Sequence, residues 1–521
     1  MLTLALSASA GLLLAASLPA VGFWPLAWGA LVPLFLVTRG CRPRMAFAYG
    51  WWAGFVFYLV ALSWITPTIT NYTSIGTALA LALLLLMAAT AALGMGVFAA
   101  LVEWLAAAGI SRVVAAPLAW VVVEWTRTFF PLPFPWLLLG YSQYSVIPVV
   151  QVVDVAGVYG LSALIVFTNA AATEFVRDGL AVHRRLLAAL AALVVVVLAY
   201  GQLRLAVIEG QDYWGSLRVG LIQGNVAQSQ KWDESRQDTI LASYLQASAQ
   251  VVGQGAKLVV WPESAVPFYL SVDDRARTIT GFADDNNTHL LVGAPGYERR
   301  GDGPALSYNQ AWQVVPGRGL DGPYDKIRLV PFGEYVPFGG LFGIAEKAVE
   351  GLGEFGRGRD YTVFEGPVAG QGEGGVARRA RFSALVCYEG IFPDFVGRFV
   401  RNGADFLVNI SNDAWYGRTA APHQHLAMVA VRAVEQRVPV LRATNTGVSA
   451  VIDQSGRIHG STELFSQAVV VDTIKLGDLR SLYSRVGDLF VYLALVALVA
   501  LVYLRLRLGS VRLDGQEGAG R

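Results

Sequence analysis

Two hydrophobic patterns divide this chain. From residue 1 to about 210, apolar residues follow one another in long uncharged runs; from 211 to 480 they come in short groups between polar and charged positions. A helix needs about 20 predominantly apolar residues to cross a bilayer. Segments near 2–20, 22–38, 45–66, 75–107, 113–130, 155–176 and 186–205 meet that length, and one more near 486–505 follows the polar region. The pattern predicts a membrane protein with an eight-helix transmembrane bundle and an outward-facing α/β domain. Seven spans fall in 1–210, the α/β domain in 211–480, and the last span with a tail in 481–521. Ser17-Leu-Pro-Ala20 resembles the small-residue end of a signal peptide. No basic n-region precedes it, so the first segment is expected to remain a span.

In the middle region the period changes. Leu217–Gln223, Lys257–Trp261, His289–Gly293, Asn309–Val315, Phe382–Val386, Asp405–Asn409 and segments 439–443, 447–452 and 467–472 read as strands. Stretches at about 233–252, 272–285, 393–402 and 422–437 read as helices between them. Repeated β-α-β units with hairpins imply a layered α/β domain whose site lies at strand ends. Gly-rich stretches 339–358 and 369–375 read as loops, the first carrying Leu341, Phe342, Ile344, Leu352 and Phe355.

Charge then orients the bundle. Only 15% of residues are charged against 55% hydrophobic, and residues 1–210 hold no lysine. Arg39, Arg42 and Arg44 lie between spans two and three, Arg112 between four and five, Arg177, Arg184 and Arg185 between six and seven. Arg505, Arg507 and Arg512 follow the last span, whereas the alternate loops 67–74 and 131–154 have neither Lys nor Arg. Basic loops stay cytoplasmic, so both termini are expected inside and 211–480 outside; Arg204 is the one discordant charge. Glu103, Glu124 and Arg127 lie near span ends, where ionisable groups are expected to reach interfacial water. A net charge of +2 without any Lys/Arg block argues against a nucleic-acid partner. Cys41 and Cys387 fall on opposite sides and cannot pair. With no CxxC and no His/Cys cluster of zinc spacing, neither a metal nor another cofactor is expected.

Cys387 is thus a lone thiol in a compartment that, if periplasmic, oxidises paired cysteines. It ends the strand 382–386, and a helix starts near Pro393. Such a junction exposes a nucleophile and aims backbone N–H groups at an oxyanion, although a lone cysteine is more often buried and inert. Two other strand ends carry ionisable groups in proline-fixed settings. Trp261-Pro-Glu-Ser-Ala-Val-Pro267 holds Glu263, and Tyr324-Asp-Lys-Ile-Arg-Leu-Val-Pro-Phe-Gly-Glu-Tyr-Val-Pro337 holds Lys326 and Glu334. Singly, these carboxylates are caps or surface pairs and the lysine a solvated charge. Together they supply the parts of acyl transfer: nucleophile, base, and a cation for thiolate and oxyanion. His423 and His425, in Ala-Pro-His-Gln-His at a helix start, are an alternative base whose setting suits capping or a substrate loop. The residues alone leave open a membrane-tethered amidase, a transporter or lipid-binding scaffold with an inactive outer domain, and a cysteine peptidase using His423.

The order of Glu263, Lys326 and Cys387, in WPES, K-x-x-L-V-P-F-G-E and strand-Cys-Tyr-Glu contexts, resembles the nitrilase superfamily. With the bundle, the whole chain resembles the apolipoprotein N-acyltransferase family. The resemblance implies an α-β-β-α sandwich with Glu263 as general base, Lys326 as oxyanion cation and Cys387 as nucleophile. It gives Glu334, Tyr388 and Glu389 supporting places and matches Ser411-Asn-Asp-Ala-Trp415 to a late loop motif. Trp232, Trp415, Phe342 and Phe355 become expected substrate-binding residues; segment 338–380 has no clear counterpart in the family, and Leu341, Phe342 and Phe355 on its Gly-rich part read either as a lid dipping into the bilayer or as a disordered loop. It further implies ping-pong transfer of a fatty acyl chain from a phospholipid, phosphatidylethanolamine being the expected donor. The chain passes through a Cys387 thioester to the α-amine of a diacylglyceryl-cysteine on an apolipoprotein. The implied location is the bacterial inner membrane, with the catalytic domain in the periplasm among membrane lipids.

Overall fold

A computed structural model describes residues 1–130, 132–298, 306–337, 355–371 and 378–518, with side chains for all of these except 370–371 and 509–518. Two compact units are present: Met1–Thr66 with Gly76–Leu203 and Val486–Arg521, and Pro67–Ile75 with Arg204–Arg485.

The first unit is helical. Thr77–Ala106, Val153–Asp178, Arg184–Glu209 and Leu489–Leu508 are long and apolar enough to cross a membrane, and the bent pair Pro43–Ala61 with Ile65–Tyr72 makes a fifth when counted as one span. Leu2–Ser17 and Trp24–Thr38 are shorter apolar stretches. The run expected at 113–130 forms the 15-residue helix Arg112–Thr126. Prolines at 131, 133 and 135 bar helical continuation, since each lacks a donor and disfavours helix at the residue before it. Small residues set the packing. A Cβ on Gly11 would come within 2.3 Å of the Ala53 carbonyl, and one on Gly50 within 2.6 Å of the Met95 carbonyl, so these helices meet backbone to backbone.

Glu103 and Glu124, expected to be solvated, are buried. Arg112 forks onto Glu103 with both bonds at 2.7 Å, and the Gly40 N–H donates to it at 3.0 Å. Glu124 accepts from the Leu139 N–H at 2.7 Å, while Arg127 donates to the Trp136 carbonyl with its guanidinium 5.3 Å from the Tyr58 ring. Carboxylates persist in apolar surroundings only with such donors.

The second unit carries two sheets. In one, β1 (Gly215–Gln223), β2 (Leu258–Val260), β3 (His289–Glu298), β4 (Leu306–Val315) and β5 (Gly319–Asp325) follow in order, β13 (Ala468–Leu476) pairs the outer side of β1, and β7 (Gly370–Gln371) also pairs β1. The other has the order β12-β11-β10-β9-β8-β6, comprising Ile458–His459, Ala450–Ile452, Val440–Thr444, Phe406–Ser411, Arg379–Val386 and Phe364–Val368. β1–β3 run parallel, as do β8–β10, and antiparallel strands flank both sets. Parallel strands are covered on both faces and therefore read as continuous apolar runs; Phe406–Ser411 is buried at every position.

Helix Gln237–Gly253 packs Ile240, Leu241, Tyr244 and Val251 with Trp261, Val292 and Val314 of the first sheet's core. Helices Pro393–Arg401 and Ala421–Gln436 belong to the second sheet's layer. A polar seam joins the sheets: Gln223 Oε1 accepts from Thr462 at 2.6 Å, Ser449 at 2.7 Å and Thr444 at 3.3 Å. This is the nitrilase-like two-sheet arrangement. β5, with sequence Gly-Leu-Asp-Gly-Pro-Tyr-Asp, was not announced by any pattern of apolar residues. It forms because β4 offers an edge, a tertiary effect that overrides weak propensity.

Candidate active site

The site assembles where β2, β5, β8 and β9 end. β2 leads through Trp261-Pro262 to Glu263, β5 to Lys326, β8 to Cys387 and β9 to Asn412. Cys387 opens a 3-10 turn, Cys387–Ile391, before the helix at Pro393, and has φ +52. Ser264 beside Glu263 and Phe332 near Glu334 also have positive φ, at +46 and +60. A side chain held in that region costs about 1–3 kcal/mol and persists only where its surroundings over-determine it. One such position is Cys387 itself, and the other two lie close in sequence to Glu263 and Glu334.

Lys326 lies between two carboxylates. Its ammonium donates to Glu334 Oε1 at 2.7 Å and stands 3.6 Å from Glu263 Oε1. Asn309 Nδ2 donates to Glu263 at 2.6 Å and approaches Glu334 at 3.4 Å, and the Asn412 N–H donates to Glu263 Oε2 at 2.7 Å. Glu334 is anchored by the Val330 N–H at 2.8 Å. Burial opposes the charge on Lys326, yet Glu334, Glu263 and Cys387 outweigh it and hold the ammonium well above the ordinary lysine range. Burial, then the Glu263 charge, pushes the Cys387 thiol well above its ordinary value, against the pull of Lys326. Lys326 thus stands between two acidic side chains, and the Cys387 thiol must ionise against both burial and the Glu263 charge.

Glu389 is wholly buried and ties two segments together. Its Oε1 accepts from Tyr324 Oη at 2.8 Å and from the Ile327 and Arg328 N–H groups at 2.7 and 3.0 Å; its Oε2 accepts from the Val386 N–H at 2.7 Å. Burial pushes its carboxyl up to about 7, with those backbone donors opposing. Tyr388 is buried with its ring edge-on to Phe392 at 5.1 Å. Trp232 and Trp415 are exposed, 51% and 40%, and Trp415 meets the Tyr72 ring edge-on at 4.7 Å. Phe355 is partly buried and bridges Ser307; Phe342 lies outside the described residues.

Sequence reasoning missed several neighbours. Asn309 stands in the sequence as the first residue of an expected strand, with nothing to mark its contact with two acids. Lys231, next to Trp232, is buried and donates to the Glu263 carbonyl at 3.1 Å; burial draws its ammonium down to about 8, with Glu263 opposing. His425, weighed as a base or helix cap, is buried with Nε2 3.2 Å from the Cys387 carbonyl oxygen. It faces the backbone of the Cys387 turn. The Ser411–Trp415 motif was the available signal, because Asn412 and Asp413 contact Glu263 and His425 from within it.

Two family descriptions match the chain in tandem: apolipoprotein N-acyltransferase N-terminal domain over residues 10–171, and carbon-nitrogen hydrolase over residues 218–483. An apolipoprotein N-acyltransferase of Geobacter metallireducens is 40% identical over 510 residues, 96% of this chain and 95% of that one. Another, from Brucella melitensis biotype 1, is 35% identical over 82% of this chain and 80% of its own. Among solved structures, an amidase from Nesterenkonia sp. is 22% identical and covers 53% of this chain and 95% of its own, with a TM-score of 0.36. By the two tandem domains and the near full-length relatives, the chain belongs to the apolipoprotein N-acyltransferase family, with a nitrilase-superfamily carbon-nitrogen hydrolase domain.

Proposed function

We propose that the chain transfers a fatty acyl group from a phospholipid to the α-amine of a diacylglyceryl-cysteine at an apolipoprotein N-terminus, through a thioester on Cys387. The observation that carries this reading is the ammonium of Lys326 held between Glu263 and Glu334 beside a thiol in a left-handed turn. In the first half-reaction Glu263 takes the thiol proton as Sγ attacks the ester carbonyl carbon. The carbonyl electron pair moves to oxygen, where Lys326 and the Tyr388 backbone N–H stabilise the charge. Collapse expels the lysophospholipid oxygen, which takes the proton back from Glu263. In the second half the amine attacks the thioester, Glu263 accepts its proton, and the proton returns to sulfur as the amide forms.

Lipid substrates suit the rest of the chain. Each acyl CH₂ kept from water contributes about 0.8 kcal/mol, and Trp232 and Trp415 offer exposed aromatic surface in the catalytic unit. The reading includes eight spans, an outward-facing catalytic unit on a bacterial inner membrane, and phosphatidylethanolamine as the donor. Support for the membrane comes from the apolar helices, and for the acyl chemistry from the relatives' names.

Mass spectrometry of the purified protein after incubation with phosphatidylethanolamine tests it directly. The expected result is one acyl mass on the Cys387 peptide that is lost on adding a diacylglyceryl-cysteine peptide, and that is absent from Cys387→Ser and Lys326→Ala. An unmodified Cys387 under turnover conditions would refute the thioester route.

A further inference from the structure

Behind the nucleophile lies a charged cluster that the reaction as written does not use. Arg442, Asp413, His425 and Asn409 are all fully buried. Arg442 Nη2 donates to Asp413 Oδ2 at 2.6 Å and lies 3.1 Å from His425 Nδ1, while its Nη1 donates to Asn409 Oδ1. Asp413 Oδ1 accepts from the Ser411 hydroxyl at 2.7 Å and lies 3.2 Å from His425 Nδ1. From the far side of the cluster two donors reach one oxygen, the Cys387 carbonyl: His425 Nε2 at 3.2 Å and Asn409 Nδ2 at 3.3 Å.

A carbonyl can only accept, so His425 carries a proton on Nε2, while its Nδ1 faces both the Arg442 guanidinium and the Asp413 carboxylate. The loop holding Asp413 also delivers the Asn412 N–H to Glu263 Oε2 at 2.7 Å. Asn445 clamps that loop, donating to the Ser411 carbonyl at 3.0 Å and to Asn412 Oδ1 at 3.1 Å, and a Cβ on Gly447 would come within 2.3 Å of Asp413 Oδ2.

We propose that Arg442 and Asp413 are the hub of a positioning device that holds the nucleophile's backbone carbonyl, through His425 and Asn409, and the base's carboxylate, through Asn412, in one rigid frame. It rests on the reading of Cys387 as nucleophile and Glu263 as base. The Cys387 peptide must stay in the left-handed turn to present its sulfur, and nothing in a cysteine side chain favours that turn. Two donors on its carbonyl supply the preference. The buried Arg442–Asp413 pair, tied to Asn409, His425 and Ser411, cannot shift without exposing an unpaired charge, so it specifies one geometry. None of the four side chains touches the reacting atoms; they act through Cys387 and Glu263.

The test uses the full chain in detergent, with Cys41→Ser so that Cys387 is the only thiol, and iodoacetamide as the probe. His425→Phe, which removes the donor, and Asp413→Asn, which removes the anion, are expected to slow alkylation of Cys387 by about ten- to a hundredfold, the scale of a misplaced reacting group. Both are expected to keep a cooperative thermal transition. His425→Gln, which retains an N–H donor, is expected to recover most of the rate. A short-chain p-nitrophenyl ester should show the loss in kcat with KM unchanged. Wild-type alkylation in either folded variant overturns the inference, as does failure of both to fold, which would make the cluster a fold determinant only. The probe carries no lipid, so an error in the choice of donor or acceptor leaves this result intact. An inert wild-type Cys387, by contrast, overturns the nucleophile reading and this inference with it.

Discussion

At the scale of residues, the surroundings of Cys387 hold its thiol above the ordinary cysteine range. Burial and the Glu263 charge raise the Cys387 thiol, and Lys326 opposes them. A raised pKa means that the thiolate fraction at neutral pH lies below that of a free cysteine and grows about tenfold per pH unit. Alkylation of Cys387 by iodoacetamide is therefore expected to climb steadily between pH 7 and 9. Lys326→Met, which removes the lowering charge, should be slower at every pH; a plateau near pH 7 would contradict this account. Low resting reactivity suits a group that must not be consumed by adventitious oxidants, since oxidation follows thiolate character.

At the scale of elements, strand ends deliver the chemistry and close packing fixes it. Gly293 on β3 lies against the segment holding Glu263. A Cβ there would stand 2.3 Å from the Pro262 carbonyl and 2.8 Å from Glu263 Cα. Gly293→Val must push that segment away or distort the strand. Overpacking of this kind costs about 1–3 kcal/mol, so a lower thermal midpoint is expected together with a larger fall in Cys387 acylation. Unchanged acylation would show that Glu263 tolerates displacement. Glu389 illustrates the same dependence between elements. It bonds the end of β8 to the loop after β5, which ties the segment of Cys387 to that of Lys326. Its place two residues after Cys387 was visible in the sequence, but its partners more than 60 positions away were not.

At the scale of the whole molecule, the sidedness of the catalytic unit is a direct prediction of arginine placement. Ser235 is exposed in that unit. In a variant with Cys41→Ser and Cys387→Ala, a Ser235→Cys thiol is expected to react with a membrane-impermeant maleimide on intact spheroplasts. Labelling only after lysis would reverse the orientation. The four helices that meet the length and apolarity of a span leave the shorter ones, Leu2–Ser17 and Arg112–Thr126, dependent on neighbours such as the Gly11 contact with Ala53. Hydropathy reported their apolarity correctly and overstated their length, because prolines and short turns act on the backbone rather than on polarity.

The sequence by itself determined the apolar runs and most of the succession of strands and helices, and it singled out Glu263, Lys326 and Cys387 by residue type and setting. Periodicity, turn residues and residue type are local properties, and each survives in the linear text. Only the tertiary structure decided which carboxylate bonds Lys326, that Glu103 and Glu124 are buried, that Asn309 bridges two acids, and that His425 faces a carbonyl instead of the thiol. Those outcomes depend on backbone donors and side chains brought together from strands far apart in sequence. The left-handed turn at Cys387 is of the same kind: its own residue disfavours it, and the groups around it impose it.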